Sequence, residues 1–169
     1  TGVSFLRERS EGTLDRLLLT KTNRVDVIVG YMFGFLVFAL IQSTIILLFT
    51  IYVVGTDHSG TLWEAFIILI ILTITSVNLG IFASMFAKNE FQIVQFIPLF
   101  IAPQVFLSGI FLPVEQLPQY FQPLSKIFPL TYANRALQNI MQGSSIVDVG
   151  YEVGILVLFA LVLLILAMV

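Results

Sequence analysis

The sequence predicts an all-α integral membrane protein: four transmembrane helices, a cytoplasmic helix ahead of them, and short external re-entrant or interfacial helices before the last span. Two observations carry this. Of 169 residues, 58% are hydrophobic and 11% charged, with a mean hydropathy of +1.01, whereas soluble domains carry about 25% charged residues. The charges are also segregated, because the stretches 27–56, 65–87, 91–114 and 153–169 contain no Asp, Glu, Lys or Arg. About 20 apolar residues suffice to cross a ~30 Å hydrocarbon core. The chain therefore divides into a polar opening segment, 1–26, and a transmembrane domain, 27–169, with spans near 27–54, 65–87, 91–112 and 153–169.

The opening segment is the only long, charge-dense stretch, FLRERSEGTLDRLLLTKTNR over 5–24. After Gly12, Thr13 is placed to cap a short helix with Asp15 in its first turn; Leu14, Leu17 and Leu18 then share one face, with Arg16 and Lys21 on the polar side. Such a helix can lie on a bilayer or dock into a groove on a partner, or the segment is simply a positively charged flank of the first span.

The first span carries Gly30 and Gly34 as GYMFG, a small-xxx-small pair that lets another helix approach closely. A breaker-rich turn follows, GTDHSG over 55–60, with Trp63 as an interfacial anchor. Its Gly55-to-Thr61 spacing is superficially that of a phosphate-binding loop, but it has no lysine and joins two spans, not a strand and a helix, so no nucleotide site is expected there. In the second span Gly80, Ala83, Ser84 and Ala87 form a small-residue face for packing, and Asn78 falls near mid-membrane. The third carries Pro98 and Pro103, tolerated where neighbours satisfy the freed carbonyls, and three amides, Gln92, Gln95 and Gln104. Together with Gln42, Ser43 and Asn78, these amides are the candidate lining of a pathway; interhelical hydrogen bonding is their ordinary alternative role.

Between the third and fourth spans, 113–143 is half apolar. Leu117, Tyr120, Phe121, Leu124, Ile127 and Phe128 recur at three- and four-residue steps with Gln and Lys between them, and Pro118, Pro123 and Pro129 cut the stretch into pieces too short to cross. A helix is expected to start near Thr131 as N-cap and to stop at Gly143. The last span, 153–169, is leucine-rich and nearly free of polar atoms.

Lysine and arginine counts orient the chain. Arg7, Arg9, Arg16, Lys21, Arg24 and Lys88 fall on one side of four alternating spans, and only Lys126 and Arg135 on the other. Cytoplasmic loops carry the excess of such residues, so 1–26 is placed inside and 113–152 outside.

Several chemistries are excluded or disfavoured. There is no cysteine for disulfides, thiolate metal sites or thiol nucleophiles, and His58 alone supports neither a metal cluster nor a triad, so no catalytic residue, metal ligand or cofactor site is assigned. A net charge of -2 without a basic patch gives no basis for nucleic acid as a partner. The chain opens at Thr1 and stops at Val169 within an apolar run, so it is expected to be a C-terminal fragment of a longer protein.

Two motifs resemble one family. FLRERSEGTLDRLLLTKTNRVDVIVG is similar to the cytoplasmic signature of the ABC type-2 transporter permeases, although Lys21 follows Thr20 where that family often has proline. LSGIFLPVEQLP and PLTYANRAL are similar to its second signature: Ser108-Gly109, Pro113, Pro118, then Pro129, Leu130, Thr131 and Tyr132. The two motifs occur in the family's order, on opposite sides of the membrane, and cover nearly the whole chain.

The resemblance implies a membrane subunit of an ATP-driven exporter in the cell membrane, moving a hydrophobic or amphiphilic drug, lipid or glycoconjugate outward, with an amphipathic helix and two further spans before residue 1. It implies that Glu8, Arg9, Glu11, Gly12, Thr13, Leu14 and Arg16 seat in a cleft of a separate ATP-binding subunit, which holds the ATP and magnesium. It implies a second permease copy, homo- or heterodimeric, with the pathway between the two. Gly109, Pro113, Pro118, Pro129 and Tyr132 would belong to an external gate, within a membrane lipid environment. Two other classes remain beside it: a non-transporting scaffold that recruits a cytoplasmic partner, and a secondary transporter, against which the lack of intramembrane charge argues.

Overall fold

Charge-free apolar segments fold as helices in a bilayer because only a helix satisfies its own backbone within one segment. The computed structural model describes residues 24–53, 55, 60–87 and 89–168, and every regular element among them is helical. These are α1 (Arg24–Tyr52), α2 (Leu62–Phe86), α3 (Glu90–Leu107), a 3-10 turn (Val114–Gln116), α4 (Gln122–Ser125), α5 (Pro129–Met141) and α6 (Gly150–Met168). Among the described residues three helices are long and apolar enough to cross a membrane, over Val29–Tyr52, Leu62–Phe86 and Gly150–Ala167. The third helix has a shorter apolar section, Val94–Leu107. It runs through Pro98 and Pro103, and Asn89 caps its start by accepting from the Gln92 backbone N–H at 2.8 Å. The sequence-based expectation carried this segment to 112, but the helix stops at Leu107, where Ser108 caps it and Gly109 takes a φ of +86°.

The central helix is α2, which packs most extensively on α6 and next on α1 and α5. Toward one end, Ala65 and Ile68 of α2, Ala133, Ala136 and Ile140 of α5, and Val149 and Leu156 around α6 form a buried core. Toward the other, Val77 and Ile81 close against Ala167 and against Met32 and Phe35 of α1. Polar side chains tie these helices together. Asn78 is almost wholly buried and its Nδ2 donates to the Ala160 carbonyl of α6 at 3.0 Å, while the Ser43 and Thr73 hydroxyls join α1 to α2 at 3.3 Å. The Thr75 hydroxyl donates to Ile71 O at 2.8 Å and approaches Leu156 O at 3.4 Å. On the expected small-residue face, Ser84 is fully buried and donates to the Ile81 carbonyl of its own helix.

The helix expected to start near Thr131 starts two residues earlier, with Phe128 as N-cap and Pro129 in the first turn. Proline suits this position, since its φ is preset and it has no N–H to leave unpaired. The Thr131 hydroxyl instead donates to Ser125 O at 2.6 Å. At its other end α5 meets the start of α2: a Cβ built on Gly60 would collide with the Ile140 carbonyl oxygen. Alongside, Glu64 accepts from the Ile146 backbone N–H at 3.2 Å and from the Ser145 hydroxyl at 3.4 Å, clasping the α5–α6 loop onto α2.

Helix α5 therefore runs along α2 with its C-terminal end beside Gly60. Its N-terminal residues Pro129 and Leu130 share a cavity with Thr75 and Ser76, and the eleven-residue step from 129 to 140 is roughly 17 Å of helix. That is about half of a ~30 Å hydrocarbon core.

The Gly60 contact is directly testable. Gly60→Ala is expected to destabilise the protein by about 1–3 kcal/mol through overpacking against backbone. Gly154→Ala, whose Cβ would meet nothing within 4 Å, is expected to leave stability unchanged or raise it by up to ~1 kcal/mol. Thermal unfolding of the purified protein in micelles compares the two.

Candidate functional site

Two regions bring chemistry-bearing side chains together. The first is the hairpin that connects α3 to α5. At Gly109 the φ of +86° is one that L side chains rarely adopt, and an added Cβ would stand 3.3 Å from Val114 Cγ2. The turn lets the chain reverse so that the Asn134 side chain of α5 donates to the Ser108 carbonyl at 3.2 Å. Next to it, Arg135 Nη2 lies 3.3 Å from Glu115 Oε1, with side chains 39% and 74% exposed. An exposed pair of this kind contributes about 0–1 kcal/mol, so it sets register more than it stabilises.

Lower in the hairpin, Gln122 Nε2 donates to Leu117 O at 3.0 Å and the Tyr132 hydroxyl to Lys126 O at 3.0 Å, with the Tyr132 ring 6.2 Å from that of Phe159. Burial holds the Tyr132 phenol above its ordinary value, and a phenol is in any case protonated and able to donate at neutral pH. Of the residues expected in the external gate, Gly109 forms the reversal, Pro113 caps the 3-10 turn, and Pro129 and Tyr132 are buried in the first turn of α5. Pro118 stands exposed and contributes its carbonyl to Phe121 N at 2.8 Å.

The second region is the face shared by α1, α2 and α3. A cavity of about 320 Å³ separates α2 from α3, walled by Phe96 and Phe100 on one side, floored by Gly80 and Ala83, and closed by Pro129 and Leu130. A cavity of about 330 Å³ lies between α1 and α2, lined by Gln42 and Ser43 from α1 and by Thr73 and Val77 from α2. Leu72 and Ser76 belong to both, forming a ridge between them. The Gln104 side chain lines the first cavity beside Ser76.

The candidate pathway residues are thus divided. Gln42 and Ser43 meet Ser76 across the second cavity, and Gln104 meets Ser76 across the first. Asn78 faces away, buried against α6. Gln95 is exposed on α3 and, with Gln92, lines neither cavity. Ser76 was not singled out from the sequence as a pathway residue, although it stands within the polar run Thr73, Thr75, Ser76 and Asn78. Which of four neighbouring polar residues looks toward α1 and α3 is set by the packing of α6 on the opposite side.

Of the residues expected to pack helices, Gly80 floors the first cavity and Ser84 is buried, while Gly30 and Gly34 have nothing within 4 Å of an added Cβ. The expected docking residues Glu8, Arg9, Glu11, Gly12, Thr13, Leu14 and Arg16 lie outside the described residues. Among the described residues, no group of three or more His, Cys, Asp and Glu is arranged to hold a metal ion.

The family described as ABC-2 type transporter matches residues 1–142. The chain is 30% identical over 141 residues to ABC transporter G family member 20 of Dictyostelium discoideum, covering 83% of this chain and 19% of that protein. It is 28% identical over 152 residues to the probable multidrug ABC transporter permease YbhR of Escherichia coli, covering 90% of this chain and 41% of that one. It is also 28% identical over 159 residues to the linearmycin resistance permease protein LnrN of Bacillus subtilis, covering 93% and 41%. The chain thus spans from about a fifth to two fifths of the length of these relatives. No solved structure matches it.

The hairpin contacts should rank by burial. Asn134→Ala, which leaves the Ser108 carbonyl without its donor, is expected to cost about 1 kcal/mol; Arg135→Ala is expected to cost less, and its effect should vanish in high salt. Unfolding midpoints of both variants at low and high ionic strength test the order.

Proposed function

The chain belongs to the ABC-2 type transporter family, and from that premise we propose that it is part of the membrane-spanning permease subunit of an ATP-binding-cassette exporter. Its substrate is a hydrophobic or amphiphilic molecule, moved out of the cell on ATP hydrolysed by a separate subunit. The observation that carries this is the reach of the family match, residues 1–142, which takes in both the charged opening segment and the hairpin ending in α5. A chance likeness between apolar helices would not extend across two polar stretches of such different composition.

In this account α3 is a fourth span beside the three longer ones, completed by its polar ends, and the protein is a multi-pass protein of the cytoplasmic membrane with 1–26 inside and 113–152 outside. Residues 7–20 seat in a cleft of the ATP-binding subunit, which carries the ATP and magnesium. Movement of that subunit displaces the segment as a lever and shifts two packed permease copies between arrangements. The exposed apolar faces support a second copy or lipid as neighbours, since α1 presents Phe33, Phe38 and Phe49 outward. The half-length α5, packed beside α2 and α6 and joined to α3 by Asn134, supports a re-entrant helix that closes the outer end of the pathway.

The lever is tested in the full-length permease reconstituted with its ATP-binding subunit. Glu8→Ala and Gly12→Pro are each expected to reduce ATP-dependent transport to less than about a tenth, a loss worth ~1.4 kcal/mol or more, while the unfolding midpoint of the membrane domain stays unchanged. Undiminished transport in both variants would remove this segment from the mechanism.

A further inference from the structure

Two groups stand out among the polar side chains at the level of the transmembrane helices. Ser43 with Thr73, Thr44, Thr75, Asn78 and Ser84 make hydrogen bonds to one another or to helix carbonyls. The side chains of Gln42, Ser76 and Gln104 make none among the described residues, and all three look onto the same pair of adjoining cavities. An amide or hydroxyl left unpaired in an apolar medium is costly, so a face that presents three of them is not shaped for hydrocarbon.

We propose that Gln42, Ser76 and Gln104 form a recognition belt across α1, α2 and α3 for an uncharged amphiphile, one that carries hydroxyl or amide groups on an apolar skeleton. The inference rests on the exporter function proposed above and specifies its substrate class.

Three features of the face select this occupant. Among the described residues no Asp, Glu, Lys or Arg lines either cavity, so an ionised group would enter without a counter-charge from them, at the penalty that keeps charges rare inside membranes. The first cavity adds an aromatic wall, Phe96 and Phe100 in an edge-on pair 6.2 Å apart, suited to an apolar skeleton. Each cavity, about 320 and 330 Å³, is within the few-hundred-Å³ range of small-molecule sites. A helix seated in one cleft would reach Gln42 or Gln104 but not both, because the Leu72–Ser76 ridge stands between them. A molecule lying across the ridge reaches all three.

The test uses the full-length permease with its ATP-binding subunit in lipid nanodiscs and three photoreactive probes. All have the same alkyl chain with a mid-chain diazirine; one ends in glucose, one in a carboxylate and one in trimethylammonium. Without nucleotide, the glucoside is expected to insert into α2 near Ser76 and into α3 between Phe96 and Gln104 about tenfold more than either charged probe, as read by peptide mass spectrometry. Ser76→Ala combined with Gln104→Leu should reduce that insertion about tenfold, the loss of a hydrogen bond worth one such factor. Gly80→Phe, which fills the first cavity by bulk, should reduce it by a separate route.

Equal insertion by the three probes, or insertion unmoved by the variants, would overturn the belt. So would a cross-link from Ser76→Cys to chain preceding residue 1, which would mean that protein fills the face. Because insertion is measured without ATP, and assembly is read separately by co-purification of the ATP-binding subunit, failure of the belt and failure of the exporter assignment give different results.

Discussion

A helix of half the bilayer thickness can lie at membrane depth only if its flanks are covered and its end groups are satisfied by something other than water. In this protein α2 and α6 cover the flanks of α5, and the turns at its two ends satisfy their own backbone groups. The small residues Ala133 and Ala136 and the absence of any side chain at Gly60 let the helices approach closely, so that the Ile140 carbonyl occupies space a Cβ would need. At the other end, the carbonyls of Ser125 and Lys126 accept from Thr131 and Tyr132, closing the turn before α5 on itself. The arrangement of the remaining elements follows from this wedge: α3 reaches it through Asn134, and the loop to α6 is clasped by Glu64.

The wedge divides the transmembrane helices into two mechanical classes. Helices α2, α5 and α6 share one buried core, whereas α3 touches α2 sparingly and leaves a cavity between them. Coupling between distant sites needs an element with two discrete arrangements. The weakly packed α3, interrupted by Pro98 and Pro103 and attached to α5 through Asn134, is the element most free to supply one. A displacement of α3 would act together on the hairpin that follows it and on the width of the cavity holding Gln104.

Much of the fold was legible in the sequence because apolar runs without charge determine helix existence with little help from context. The runs 27–56, 65–87 and 153–169 correspond to α1, α2 and α6, with ends shifted by a few residues. The shortening of α3 was not legible, since nothing apolar distinguishes Leu107 from Ile110; the stop comes from the backbone reversal at Gly109 and its contacts with Val114 and Asn134. The hydroxyl of Thr131 marks a helix start in the sequence, but Pro129 takes the first turn of α5 and the Thr131 hydroxyl instead closes the turn before it. At the polar face, Gln42, Ser43 and Gln104 were recognisable as amides and a hydroxyl costly in lipid. That Ser76 joins them while Asn78 turns to α6 depends on which side of α2 its neighbours occupy, and one sequence carries no record of that.

The central claim is that the chain before α5 descends into the bilayer and returns. It is tested most directly by spin labels on Ile127→Cys and Gln142→Cys in the reconstituted full-length protein, with depth read from the balance of collisions with oxygen and with a water-soluble nickel chelate. Ile127, at the foot of the hairpin and 61% exposed, is expected near the bilayer centre, and Gln142 at the outer surface, about 15 Å or more away. Equal depths at the two positions, with the nickel chelate reaching both alike, would contradict the account.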